Sequence, residues 1–147
     1  MKQIFVLLLL TVFVLGCTQQ AHEKDFSLRY FAQENFTGNE IEITINNTGL
    51  LMYTKKDGLN NLVISDRFET RLTESNFDSL IETIKESGFM ELERDVGTPY
   101  DKCYDADTST ITIMFEGKEM TSGGYCIKEP AYTKVALKVT ELSGIPG

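Results

Sequence analysis

The chain is expected to fold as one α+β domain, an antiparallel sheet of about six strands with two amphipathic helices on one face in the order ββββαββα. Three observations predict this. Six short segments read as strands, and three of them, over 25–31, 40–46 and 108–115, alternate apolar and polar residues with the period of half-buried strands. Two other segments repeat apolar residues at the spacing of one helix face. Between them lie Asn-, Asp- and Gly-rich turn signals. An antiparallel sheet with helices packed on one side makes a two-layer sandwich around a single core.

Taken in order, residues 25–31 place Phe26, Leu28 and Tyr30 on one side and Ser27 and Arg29 on the other. Residues 40–46 set Ile41, Ile43 and Ile45 against Glu42, Thr44 and Asn46. The run Asn46-Asn47-Thr48-Gly49 predicts a turn into a third strand over 50–55. Asp57-Gly58 and Asn60-Asn61 predict another reversal before a fourth strand over 62–65. These four runs read as an antiparallel meander. The period then changes: Phe77, Leu80, Ile81 and Ile84 fall at i, i+3, i+4 and i+7. Ser75 with Asp78 suits the start of this helix, with Thr73 as the alternative N-cap, and Gly88 suits its end. Its acidic residues, Glu74 to Glu86, are read as a solvated outer face.

Residues 108–115 put Ile111, Ile113 and Phe115 on one side, and Glu116-Gly117 turns the chain into a return strand over 119–125. Pairing Phe115 with Lys118 sets Met120 opposite Ile113. Pro130 opens the last helix, whose apolar face carries Tyr132, Val135, Ala136, Val139 and Leu142, and Gly144 ends it. No internal repeat and no second domain are read.

The 147 residues are 41% hydrophobic and 24% charged with three prolines, a balance that excludes collagen-like, low-complexity and wholly disordered chains. The formal net charge is -8 with no basic run. Such a surface repels phosphate backbones, so no nucleic-acid partner is expected.

The N-terminus combines Lys2 with an apolar run over 4–15 broken only by Thr11. A membrane-spanning helix needs about 20 apolar residues, so this run is too short to span and matches a signal-peptide core instead. It ends in Val14-Leu15-Gly16-Cys17, which resembles the lipobox of prokaryotic lipoproteins. That resemblance implies that the Cys17 thiol takes a diacylglyceryl group and that cleavage leaves Cys17 first in the mature chain. It divides the sequence into a cleaved signal peptide over 1–16, a lipidated tether over 17–24 and the α+β domain over 25–147. It also implies anchorage to the cell membrane or outer membrane, facing outside the cytoplasm, with the membrane itself as one partner.

With Cys17 used by lipid, Cys103 and Cys126 remain as a pair in a compartment where disulfides persist, and a bridge between them is expected. It would pin the acidic loop 95–107. No Cys-x-x-Cys spacing points to redox work. The only histidine, His22, lies in the tether, which removes the usual general base and the usual zinc ligand from the domain. No glycine-rich phosphate-binding motif is found, and neither metal nor cofactor is expected. The carboxylates Asp101, Asp105 and Asp107 are the remaining chemistry, as calcium ligands, as an acid pair, or as a plain solvated loop with Asp107 at the start of a strand. The loop lacks the glycine and bidentate Glu of an EF-hand. Tyr100 and Tyr104 flank these acids, and exposed tyrosines anchor partners. Candidate partner contacts are therefore Tyr100, Asp101, Tyr104, Asp105 and Asp107. Asn35-Phe36-Thr37 and Asn46-Asn47-Thr48 match the N-glycosylation pattern, which matters only in a host that glycosylates its surface proteins.

Leu72-Thr73-Glu74 before the first helix, Gly88-Phe89 after it, the Asp-rich approach to the 108–125 hairpin and the Pro-opened last helix resemble a module of small prokaryotic lipoproteins and secreted domains. The element order over about 25–143 is also loosely similar to emfourin, a protein inhibitor of thermolysin-type metalloproteases. The long four-strand start and the disulfide loop depart from that plan, and no inhibitory residue carries over. The leading expectation is a lipid-anchored, non-enzymatic envelope domain that binds a protein or other envelope component. The alternative is an inhibitor of an extracytoplasmic protease, followed by a carboxylate-only hydrolase.

Overall fold

The computed structural model describes residues 25–60, 62–103 and 106–145. The expected lipobox with Cys17, the expected tether with His22, and Tyr104 and Asp105 lie outside the described residues. The structure is α+β, with six antiparallel strands and two α-helices. The strands are β1 (Ser27–Gln33), β2 (Glu40–Asn46), β3 (Leu50–Asp57), β4 (Val63–Arg71), β5 (Thr108–Phe115) and β6 (Lys118–Tyr125). The helices are α1 (Glu74–Ser87), between β4 and β5, and α2 (Pro130–Ser143), after β6. Three 3-10 turns interrupt the expected order, at Gly58–Asn60, Phe89–Glu91 and Tyr100–Lys102.

The sheet order is β4-β3-β2-β1-β5-β6, every neighbour antiparallel. The first four strands form the expected meander, and the β5–β6 hairpin adds to the open side of β1. Registers follow from the alternation: Leu28 faces Ile45 and Ile113, and Ile43 faces Tyr53, so the branched side chains converge on one face. In the hairpin Phe115 pairs with Lys118 and Ile113 with Met120, as expected. Sheet residues Leu28, Ile43, Ile45, Leu51, Ile111 and Ile113 join α1 residues Leu80 and Ile84 and α2 residues Val135 and Val139 in one buried core. Each such fully buried aliphatic side chain stabilises the fold by about 1.5–3 kcal/mol relative to exposure.

The helix ends are chemically marked. Thr73, rather than Ser75, is the N-cap of α1; its Oγ1 accepts from the Asn76 N–H at 3.2 Å. Ser75 already lies inside the helix, because the chain leaves β4 at Arg71 and turns within two residues. Gly88 closes α1 with φ 79°, where a Cβ would strain the backbone. Glu129 caps α2, with Pro130 in its first turn and Gly144 at its end. Asn46 holds the β2–β3 turn by accepting from the Thr48 and Leu50 N–H groups at 2.9 and 3.1 Å. Lys134 pairs with Glu86 at 3.6 Å across the two helices. Among the described residues, no helix is long and apolar enough to cross a membrane.

Two strands depart from the sequence expectation. β4 runs nine residues, well past the predicted 62–65, and carries a bulge opposite Lys55 and Lys56. Its polar, almost fully exposed sequence hides the strand period, because Phe68 is its only half-buried residue. β1 starts at Ser27 and continues to Gln33, past the point where apolar alternation stops.

Candidate functional site

The most constrained irregular segment joins α1 to β5 and is tied to the end of β6. Cys103 and Cys126 form a disulfide, their Cα atoms 6.3 Å apart. The strand alternation of β6 ends at Tyr125, and Cys126 itself adopts φ 51°.

The approach to the bridge is not a free loop. Residues 94–98 run parallel to β6: Asp95 bridges Gly123, the Gly123 N–H donates to the Arg94 carbonyl at 3.0 Å, and the Val96 N–H donates to the Gly123 carbonyl at 2.9 Å. The Thr98 N–H then donates to the Tyr125 carbonyl at 2.8 Å, and Thr98 Oγ1 donates to the Cys126 carbonyl at 2.7 Å. Gly124 permits this approach: a Cβ there, where φ is 144°, would lie 2.7 Å from the Gly97 backbone, whereas a Cβ on Gly123 would strike the other neighbour, β5, at 2.5 Å from the Ser109 carbonyl oxygen. Ser122 Oγ, fully buried, donates to the Glu93 carbonyl at 2.8 Å and fixes the start of the segment.

Tyr125 organises the bridged turn. Its hydroxyl donates to the Cys103 carbonyl at 3.2 Å and accepts from the Ala106 N–H at 3.3 Å, bracketing the bridge from both sides. Its ring stacks on Tyr100, with centroids 4.6 Å apart and planes 14° apart. Tyr100 remains 64% exposed, a large aromatic held on a cross-linked turn. Asp101 comes next in the turn Tyr100–Lys102. Asp107 sits just before β5 with its carboxylate accepting from the Asn35 N–H at 3.3 Å, so it braces the β1–β2 loop. Beside this face lies a shallow cleft of about 530 Å³ whose walls include Arg94, Pro99, Thr110, Thr121 and Gly123.

No model of a known protein family matches the chain, and no curated protein matches it.

Among the described residues, no three His, Cys, Asp or Glu side chains gather to hold a metal ion. Two tyrosines with raised pKa values lie elsewhere. Burial raises the Tyr132 phenol well above its ordinary value, while its hydrogen bond to Ser109 Oγ at 2.9 Å works weakly against that shift. Burial also raises Tyr30, and the negative charge of Asp107 adds to the effect. Both serve the interior.

The structure thus joins Cys103 to Cys126, exposes Tyr100 and assigns Asp107 a bracing role. Sequence reasoning missed Tyr125 and the 94–98 segment. The available signal was Gly123-Gly124 inside a strand, which marks a close approach by another backbone.

Proposed function

We propose that the domain is a lipid-anchored, non-enzymatic binding module of the cell envelope, held at the membrane by Cys17 and engaging an envelope protein through the face around Tyr100. The observation that carries the reading is the lipobox Val14-Leu15-Gly16-Cys17 at the end of a short apolar run. The Cys103–Cys126 bridge supports it, since such bridges persist outside the reducing cytoplasm. The choice of contact face rests on pre-organisation. Tyr100 is exposed yet already stacked on Tyr125, so binding costs little additional side-chain entropy. The cleft walled by Arg94, Thr110 and Thr121 adds polar groups beside that aromatic anchor.

One preparation tests anchor and contact together. Protein taken from its native membrane fraction should begin at Cys17 with an acyl mass increment and gain two hydrogens on reduction. A photo-crosslinker near position 100 should capture one envelope protein, and Tyr100→Ala should weaken that complex by about 30-fold, the effect of losing a central tyrosine worth about 2 kcal/mol. An unlipidated chain overturns the anchor. Unchanged binding in Tyr100→Ala overturns the contact face.

A further inference from the structure

The two edges of the sheet are treated differently. The β6 edge is covered by the chain's own 94–98 segment, whereas among the described residues β4 has no strand on its outer side. β4 is also exposed along its length except at Phe68. The bulge opposite Lys55 and Lys56 disrupts its first part and leaves residues 66–71 as a regular edge, a row of backbone donors and acceptors able to pair with another strand.

We infer that a second copy of this chain pairs antiparallel along β4, with Phe68 on the two-fold axis, joining two sheets into one of twelve strands. An antiparallel strand pair with two-fold symmetry sets one residue opposite itself, so the possible registers are few, and charge sorts them. An axis at Asp66 opposes two carboxylates, and one at Arg67 opposes two guanidiniums. An axis at Glu69 opposes two carboxylates and also sets Arg67 against Arg71. An axis at Thr70 leaves only three positions within the strand. Centring on Phe68 avoids every like-charge contact: Arg67 faces the partner's Glu69 twice by symmetry, and Asp66 faces the partner's Thr70 twice. These five positions, 66–70, lie within the regular stretch 66–71 beyond the bulge.

The two faces of the strand agree with this register. Arg67 and Glu69 lie opposite Thr54 and Met52 on the face away from the core, where charges stay solvated. Phe68 lies on the helix side, stacked on Tyr53 at 4.9 Å between centroids. Pairing would extend that stack through the partner's Phe68 to the partner's Tyr53. Within one chain Arg67 and Glu69 already approach to 3.4 Å, but both are at least half exposed, and such a pair contributes little.

The test uses the full chain in detergent micelles, with mass followed by sedimentation. Wild-type protein should form a dimer. Arg67→Glu and Glu69→Arg should each weaken self-association by about 30-fold, because two attractive cross-strand pairs become repulsive ones. An equimolar mixture of the two variants should restore a 1:1 dimer, since each copy then meets opposite charge across the axis. Loss of the pair within one chain cannot produce that rescue. A wild-type monomer at about 0.1 mM, or a dimer indifferent to both reversals, overturns the inference, as does a mixture that stays monomeric.

Discussion

Removing the Cys103–Cys126 bridge tests how the irregular segment is held. The bridge spans 23 positions of sequence and closes a loop of about 24 residues. Loop-closure entropy for that length is roughly 11–12 cal/mol/K, so Cys103→Ala with Cys126→Ala should cost about 3.4 kcal/mol at 25 °C through the unfolded state. With a urea slope of about 1–3 kcal/mol/M for a domain of this size, the midpoint should fall by roughly 1–3 M. The native segment should survive. The Val96 and Thr98 N–H groups donate to Gly123 and Tyr125 carbonyls, and the Tyr125 hydroxyl still reaches the carbonyl at position 103. None of these bonds uses sulfur. Urea titration of the chain without its apolar leader measures the energy, and hydrogen exchange of the Val96, Thr98 and Gly123 amides measures the local order. A loss under about 1 kcal/mol would refute the entropic account. Full exchange of those amides in folded variant protein would refute the claim that the backbone ladder holds the segment by itself.

Gly124→Ala should cost about 1–3 kcal/mol and release amide protection over 94–98, because its Cβ would fall 2.7 Å from the Gly97 backbone. Gly117→Ala, with φ 74° and open space around the Cβ, should cost only about 1 kcal/mol and leave those amides protected; equal effects would contradict the close-approach argument. Alkaline titration should destabilise the fold. Tyr132 ionises at a higher pH folded than unfolded, where its ordinary value is 10.0. Its contribution is therefore complete below that pH and is lost as pH climbs toward the folded-state value. Tyr132→Phe should flatten the fall in stability at high pH, and a slope unchanged from wild type would remove Tyr132 as its source.

The sequence was most legible where one face of an element is buried. β2 and β5 carry branched residues at every second position, and α1 carries Phe77, Leu80, Ile81 and Ile84 on one face, so burial wrote the period directly. The same logic explains the miss at β4, whose exposure on both faces removes the selection for alternation. At the candidate site the cysteine pair was legible from parity and the compartment the sequence led us to expect. The role of Tyr125 was not, because its contacts reach residues 100, 103 and 106, which only the bridge and the ladder bring near. Asp107 stands where the sequence set it, directly before β5, but the reach of its carboxylate to the backbone of Asn35, 72 positions away, is a contact that sequence proximity does not show.

The two proposed contacts lie at opposite edges of one sheet, which lets them act without interfering. Six strands separate β4 from β6 by five inter-strand steps, about 24 Å measured along the sheet. Pairing through β4 would place the two β6 edges at the ends of a twelve-strand sheet, roughly 53 Å apart, so each Tyr100 face stays open to its own partner. The chemistry at each edge suits that division. The β6 edge is sealed by a covalent bridge and a short parallel ladder, which stops strand addition and leaves side chains to define recognition. The β4 edge is blunted by a bulge and alternating charge, which rejects most strands and accepts one register of its own sequence. Reversing Arg67 should therefore dissolve the pair and leave binding through Tyr100 unchanged, since among the described residues the bonds that hold the Tyr100 segment go to β6 and the bridged turn.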